Sequence, residues 1–144
     1  MSQRAANLLF VCVENSNRSQ MAEAFARALG GEHVNAFSAG SRPSGVVNAR
    51  AIRFMSEKGI DLAVQTSKGL DDLPGLDWDC IVTMGCGDAC PTLPAKRRLD
   101  WDLADPRDLD DDGFRSVRDR IESNVLELIS ALERGGSPWQ IVRP

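Results

Sequence analysis

The chain has 144 residues, a length typical of one domain, so we expect residues 1–144 to form a single domain. Hydrophobic residues make up 42% of the sequence and charged residues 26%, which excludes a disordered or fibrous protein. The 17 Lys and Arg residues and 21 Asp and Glu residues give a net charge of −4, so nucleic acid is not an expected partner.

Neither a membrane span nor a secretory signal is predicted. The longest apolar run, residues 5–13, is interrupted by Asn7 and Cys12 and falls short of the roughly twenty residues that a span needs. We therefore expect a protein of the cytoplasm with no membrane partner. We also expect a monomer. In that reducing compartment, the four cysteines are expected to be reactive thiols or metal ligands rather than structural disulfides.

The first half of the chain predicts two strand and helix pairs. Residues 7–13 form an apolar run that is typical of a strand buried on both faces. Ser19 is the predicted N-cap of a helix that ends at Gly30. Residues 33–39 predict a second strand, and residues 47–59 predict a second helix.

The second half predicts two further strands and a long helix. Residues 79–84 read as a third buried strand, and residues 97–101 as a short fourth one. A helix follows the acidic residues 110–112 and ends at Gly135, with one apolar face. That face carries Val117, Ile121, Val125, Leu128 and Leu132. Alternating strands and helices predict an α/β fold, a doubly wound sheet of about four parallel strands with helices on both faces.

The loop after the first predicted strand has the features of an anion site. It reads Cys12, Val13, Glu14, Asn15, Ser16, Asn17, Arg18, Ser19. Ligands of open parallel sheets lie beyond the carboxyl ends of the strands, where the backbone N–H groups of such a loop can surround an anion. We predict that this loop binds a tetrahedral oxyanion and that Arg18 holds two of its oxygens.

Cys12 is the candidate nucleophile. A helix N-terminus and an adjacent arginine both favour thiolate over thiol, and Ser19 is expected to donate a hydrogen bond to the sulfur. The alternatives are that Cys12 is a small buried hydrophobic residue and that Arg18 is a solvated residue at a helix terminus.

Cys86 and Cys90 follow the third predicted strand, at the same sheet edge as Cys12. They are candidate redox thiols, but they are also compatible with inert loop residues or with a zinc site. For such a site the sequence offers only Cys80 and His33 as further nitrogen or sulfur ligands, and Cys80 reads as a core residue of an apolar strand.

Asp105, followed by Pro106, lies in a predicted loop. It is either an acid that acts over the site or a solvated carboxylate.

These residues together resemble the low-molecular-weight protein tyrosine phosphatases and the arsenate reductases built on that fold. The cysteine, the arginine six residues later, the following serine and the distant Asp105-Pro106 carry the resemblance. Residues 15–23 are similar to the reductase branch in particular, as are residues 38–40, 83–91 and 100–102.

The resemblance implies reduction of arsenate to arsenite. Cys12 would attack arsenate, Cys86 would release arsenite by forming a disulfide with Cys12, and Cys90 would pass the oxidation outward. Asp105 would be the acid. Thioredoxin, or a low-molecular-weight thiol such as mycothiol with its redoxin, would supply electrons, while phosphate or sulfate would compete with arsenate. No cofactor and no metal are expected.

Several residues depart from the pattern of the family. Glu14 replaces a small glycine and is expected to point outward, and Asn17 replaces a second cysteine found in many relatives. Asn15 is expected to brace the loop by hydrogen bonds to its backbone. Some relatives bind potassium with four side chains, of which Asn15, Glu23 and Ser38 are present here, but Lys68 stands in the fourth place.

Two other functions fit the same residues. A phosphatase would use Cys12, Arg18 and Asp105 alone, and a redox sensor would use only the thiols. The sequence contains no tyrosine, so an aromatic wall for phosphotyrosine would have to come from Trp101 or from another Trp or Phe.

Overall fold

A computed structural model describes residues 5–84 and 93–133. Cys86, Cys90 and the predicted end of the last helix at Gly135 lie outside the described residues. The strands in the described ranges are β1 (Ala6–Cys12), β2 (Val34–Gly40), β3 (Trp78–Thr83) and β4 (Ala95–Asp100). The α-helices are α1 (Arg18–Gly30), α2 (Ala49–Ser56) and α3 (Asp111–Glu133).

The four strands form one parallel sheet in the order β2-β1-β3-β4, which confirms the predicted α/β fold. The chain moves from β1 to one side to form β2 and then crosses to the other side to form β3. The carboxyl ends of β1 and β3 therefore flank the point where the direction of winding changes, which is where open α/β sheets bind ligands. Cys12, the last residue of β1, lies at this point.

The core is divided between the two faces of the sheet because successive side chains of a strand point to opposite faces. Leu8, Phe10 and Cys12 of β1 belong to a cluster that also contains the buried faces of α1, α2 and α3. Leu9 and Val11 belong to a second hydrophobic cluster on the opposite face of the sheet. Residues outside the α-helices pack against this cluster. Leu70, Leu73 and Leu93 are among these residues.

Helix α3 has the amphipathic pattern that the sequence predicts. Val117, Ile121, Val125 and Leu128 are buried, and Leu132 packs against the same cluster. This apolar face occupies only part of the 23-residue helix. Within the described ranges, none of the helices combines the length and the apolar character that crossing a bilayer requires.

Strands β1, β2 and β3 are shifted by one residue from their predicted bounds, and α2 spans Ala49–Ser56 rather than residues 47–59. Two further differences have identifiable consequences. Helix α1 begins at Arg18, so Ser19 lies inside the helix rather than at its N-cap, and its hydroxyl contacts Cys12 instead. Strand β4 spans Ala95–Asp100 rather than residues 97–101. Trp101 is left outside the strand, and its ring packs against Phe10 with the ring centroids 5.8 Å apart.

Gly40 offers a test of how tightly β2 supports the anion loop. It lies opposite Cys12 in the sheet, and a Cβ atom there would collide with the carbonyl oxygen of Val13 and lie 2.9 Å from the backbone nitrogen of Asn15. We expect Gly40→Ala to lower the free energy of unfolding by roughly 1–3 kcal/mol, because backbone atoms cannot move aside as a flexible side chain can. Urea denaturation measures this change.

Gly75→Ala is the matched control, because a Cβ at Gly75 would meet nothing within 4 Å. Equal stabilities of the Gly40 and Gly75 variants would contradict close packing of β2 against the loop.

Candidate active site

Cys12 lines a cavity of about 160 Å³ beyond the carboxyl ends of β1 and β3. The lining residues are Cys12, Val13, Glu14, Ser16, Asn17, Arg18, Asp105 and Arg107. Cys12 is 4% exposed, and its sulfur lies 2.8 Å from the hydroxyl oxygen of Ser19. When that hydroxyl donates, it stabilises a negative charge on the sulfur. The predicted contact between Ser19 and Cys12 is therefore present.

Arg18 is anchored by the backbone on the far side of the site. Its Nη1 donates to the carbonyl oxygen of Met84 at 2.8 Å and to that of Leu103 at 3.0 Å. Its Nη2 lies 3.9 Å from Oδ2 of Asp105, and the side chain is only 11% exposed. A solvated arginine at a helix terminus would not be buried in this way. The guanidinium is thus fixed in the wall of the cavity.

Asn15 braces the anion loop through its side chain. Its amide nitrogen donates to the hydroxyls of Ser19 at 2.8 Å and Ser38 at 3.0 Å. Its amide oxygen accepts from the side chain of Gln20 at 2.8 Å and from the backbone nitrogen of Lys68 at 2.9 Å. The brace predicted from the sequence is present, but these bonds run from the Asn15 amide to neighbouring segments rather than to the loop's own backbone.

The backbone of the loop directs three of its carbonyls towards the segment that follows β2. They accept hydrogen bonds from backbone N–H groups of residues 42–48: Val13 from Arg42 at 2.8 Å, Glu14 from Ser44 at 3.0 Å and Ser16 from Asn48 at 3.1 Å. Because each peptide is planar and trans, the N–H after each of these carbonyls points to the opposite side. This is the orientation that an anion-binding nest requires.

Asp105 lies at the mouth of the cavity. Its Oδ1 accepts a hydrogen bond from the backbone nitrogen of Arg107 at 3.0 Å, where the chain turns into a short 3₁₀ helix at Pro106–Asp108. The carboxylate is 40% exposed and close to Arg18. This position is compatible with the predicted acid, whose role remains a prediction.

The sequence predicts that Glu14 points outward, away from the anion site, whereas its partly exposed side chain lines the cavity. Its Oε2 accepts a hydrogen bond from Nη1 of Arg107 at 3.0 Å, and the carboxylate is 41% exposed. This bond, reinforced by the charge of Asp105, raises the pKa of the Arg107 guanidinium. The sequence interpretation gave Arg107 no role. One sequence feature could have predicted its position. An aspartate followed by proline favours a turn, and such a turn brings Arg107 back towards Asp105.

Three residues of the suspected potassium site come together, but a lysine stands beside them. The hydroxyl of Ser38 donates to Oε1 of Glu23, and Asn15 donates to Ser38. The Lys68 ammonium lies 3.5 Å from the same Glu23 oxygen and supplies a positive charge there. Over residues 5–84 and 93–133, no three His, Cys, Asp or Glu side chains are grouped to hold a metal ion.

Comparison with known proteins assigns the family. The model of the low molecular weight phosphotyrosine protein phosphatase family matches residues 7–137. The chain belongs to this family.

Proteins similar to this chain include several named arsenate reductases. The glutaredoxin arsenate reductase of Synechocystis sp. is 37% identical over 128 residues, which cover 87% of this chain and 97% of the relative. A solved arsenate reductase in the phosphate binding state has a TM-score of 0.78 and 36% identity, and the match covers 87% of this chain and 97% of that one.

A thioredoxin-dependent arsenate reductase of Corynebacterium glutamicum has a TM-score of 0.76 and 29% identity, and the match covers 94% of this chain and 66% of that one. The names of these two similar proteins thus mention two different redoxins, glutaredoxin and thioredoxin.

Ser19 generates the first prediction about the site. We expect Ser19→Ala to slow alkylation of Cys12 by iodoacetamide at pH 7 by about tenfold, because a hydrogen bond to a charged group contributes roughly 1.5–3 kcal/mol. Mass spectrometry of the peptide that contains Cys12 measures the rate. Ser56→Ala is the control, since the Ser56 hydroxyl is exposed and bonds only to the Arg53 carbonyl on α2 among the contacts described. Equal rates in the two variants would show that the hydroxyl does not stabilise the reactive sulfur.

Cys80 is the internal contrast to Cys12. It is fully buried in β3, as predicted, and burial raises its pKa to about 12, with a further contribution from the charge of Asp79. A raised pKa keeps the sulfur as an unreactive thiol at pH 8. We expect Cys80 to resist iodoacetamide in the folded protein and to react after unfolding in guanidinium chloride. Labelling of Cys80 as fast as Cys12 in the folded protein would contradict this.

Proposed function

We propose that the protein is an arsenate reductase in which Cys12 is the nucleophile. The observation that carries the proposal is the buried sulfur of Cys12, which lies 2.8 Å from a serine hydroxyl in the wall of a small cavity. Arg18, anchored to two carbonyls, supplies a fixed positive charge in the same wall. The similarity to proteins named arsenate reductases supports this choice among the oxyanion chemistries that such a site can perform.

The proposed reaction begins with a bond between sulfur and arsenic. The Cys12 thiolate attacks arsenic, and one hydroxyl of arsenate leaves as water after Asp105 donates a proton to it. Arg18 and the N–H groups of residues 12–19 hold the remaining oxygens. Arsenic stays in its oxidised state at this stage, so the reduction requires a further electron pair.

Cys86 and Cys90 are proposed to supply the remaining steps. The Cys86 thiolate attacks the sulfur of Cys12, a disulfide forms, and the electron pair of the sulfur–arsenic bond stays with arsenic, which leaves as arsenite. Cys90 then attacks Cys86, so that the disulfide joins Cys86 to Cys90 and Cys12 leaves as thiolate. Met84, two residues before Cys86 in the sequence, accepts a hydrogen bond from Arg18, which supports a relay that begins beside the cavity.

The donor that reduces this disulfide is proposed to be thioredoxin or a low-molecular-weight thiol, such as mycothiol, with its redoxin. Phosphate and sulfate are proposed competitors of arsenate, because they are tetrahedral anions of similar shape. We further propose that residues 1–144 act as a single domain, as a monomer and in the cytoplasm.

The family match favours one alternative, phosphoester hydrolysis by Cys12, Arg18 and Asp105 alone. Among the described residues that line the cavity, none is aromatic, and Trp101 packs against Phe10. A phosphotyrosine ring would lack a stacking partner in that wall, which favours a small inorganic substrate.

The test is arsenite release over many turnovers, with three donor systems compared: thioredoxin, glutaredoxin with glutathione, and mycoredoxin with mycothiol. We expect Cys12→Ser to abolish arsenite release and para-nitrophenyl phosphate hydrolysis. We expect Cys86→Ser and Cys90→Ser to abolish arsenite release while they keep any phosphatase activity, because hydrolysis of a phosphocysteine needs only water.

Cys80→Ser is the matched thiol control and should keep arsenate turnover. Normal turnover by the Cys86 and Cys90 variants would contradict the relay. Phosphatase activity without arsenite release in wild type, under all three donors, would favour the hydrolase. Thiol oxidation without turnover of either substrate would favour a sensor.

A further inference from the structure

The cavity wall contains a second guanidinium that the reaction described above does not use. Arg107 lines the cavity together with Glu14, Arg18 and Asp105. Its Nη1 lies 3.0 Å from Oε2 of Glu14, and its Nη2 lies 3.2 Å from Oδ2 of Asp105. One side chain therefore bridges the two carboxylates at the mouth of the cavity.

The charges in this wall explain why a second arginine matters. Arsenate and phosphate carry one or two negative charges near neutral pH, and nearby carboxylates repel them. Arg18 and Arg107 balance Glu14 and Asp105, which leaves the proposed Cys12 thiolate as the excess charge, whereas loss of Arg107 would add one further negative charge to the wall. An oxyanion would then have to enter a cavity whose wall repels it.

The two arginines differ in how firmly they are held. Arg18 is 11% exposed and anchored to backbone carbonyls, but Arg107 is 53% exposed and bonded to carboxylates that are partly exposed. Ion pairs between exposed side chains contribute little net stability, since water competes for both partners. Little free energy would therefore be lost if Arg107 left Glu14 and bound an anion. The planar guanidinium group of Arg107 can donate to two oxygens of a tetrahedral anion.

We propose that Arg107 is a second anion-binding residue, which Glu14 neutralises in the empty cavity and which turns to the oxyanion when the anion enters. Glu14 then acts as a competitor of the substrate for Arg107. This inference rests on the anion site of the proposed function, but it concerns binding alone and requires neither arsenic reduction nor the relay cysteines.

Binding of inorganic phosphate, measured by titration calorimetry at low ionic strength, tests the proposal. We expect Arg107→Gln to raise the dissociation constant about tenfold, since a charge-assisted bond to the anion is lost. We expect Glu14→Gln to lower it about threefold, since the competing carboxylate is removed. Arg107→Lys should fall between wild type and Arg107→Gln, because a lysine keeps the charge but not the planar guanidinium group.

The double variant separates competition from simple charge. If Glu14 competes for Arg107, Glu14→Gln should improve phosphate binding more in wild type than in the Arg107→Gln background. An equal improvement in both backgrounds would mean that Glu14 acts only through its charge and would overturn the exchange.

Arg53→Gln is the matched control. Arg53 is also exposed and paired with an aspartate, Asp111, but it does not line the cavity. A dissociation constant for Arg107→Gln within about twofold of that control would overturn the proposal, since an effect of this size is typical of a distant surface charge. Thermal unfolding of each variant verifies the fold, and Arg107→Lys and Glu14→Gln carry the test if Arg107→Gln is unfolded.

The two proposals fail in different ways. Loss of phosphate affinity in Arg107→Gln, in a protein that reduces no arsenate, would support the second anion-binding residue and contradict only the reductase. Normal phosphate affinity in that variant, with arsenate reduction in wild type, would contradict only the role of Arg107.

Discussion

The amide of Asn15 is the constraint on which the site depends. Asn15 has a φ of +52°, in the left-handed region that asparagine tolerates better than most residues. Its side chain is fully buried, and both ends of the amide are bonded, to α1, to β2 and to the segment around Lys68. A buried amide that lost these partners would cost roughly 1–3 kcal/mol for each unsatisfied group. The loop is therefore held in one conformation, and Ser19 is held next to the sulfur of Cys12.

The two arginines of the cavity differ in mobility because they differ in burial. Arg18 is tied to carbonyls at the ends of two neighbouring segments, so its position follows the backbone of the sheet. Among the described residues, the Arg107 side chain bonds to two partly exposed carboxylates, Glu14 on the anion loop and Asp105. The fixed guanidinium of Arg18 can orient an anion, and the more weakly paired guanidinium of Arg107 can move to bind it. Together they give a small, charged cavity suited to an inorganic oxyanion.

Phosphatase and arsenate reductase chemistry share their first step, attack by a thiolate on a tetrahedral anion held by an arginine and backbone N–H groups. They differ in the second step. In a phosphatase, water attacks phosphorus, whereas in the reductase a second thiol attacks the sulfur of the first cysteine. A common anion site is therefore expected in a chain that belongs to a phosphatase family and resembles proteins named arsenate reductases. The features that distinguish them lie around that site, in the additional cysteines and in the walls that accept or exclude an aromatic ring.

The sequence by itself determined the parallel sheet, the buried strand before Cys12 and the anion loop, because apolar runs and helical periodicity depend only on local order along the chain. It also indicated the contact between Ser19 and Cys12, which are separated by one loop. The anchoring of Arg18 by Met84 and Leu103, the bonds of Asn15 to Ser38 and Lys68, and the pairing of Arg107 with Glu14 needed the tertiary structure. These contacts join residues that are distant in sequence, and only the winding of the sheet decides which strand ends and loops become neighbours.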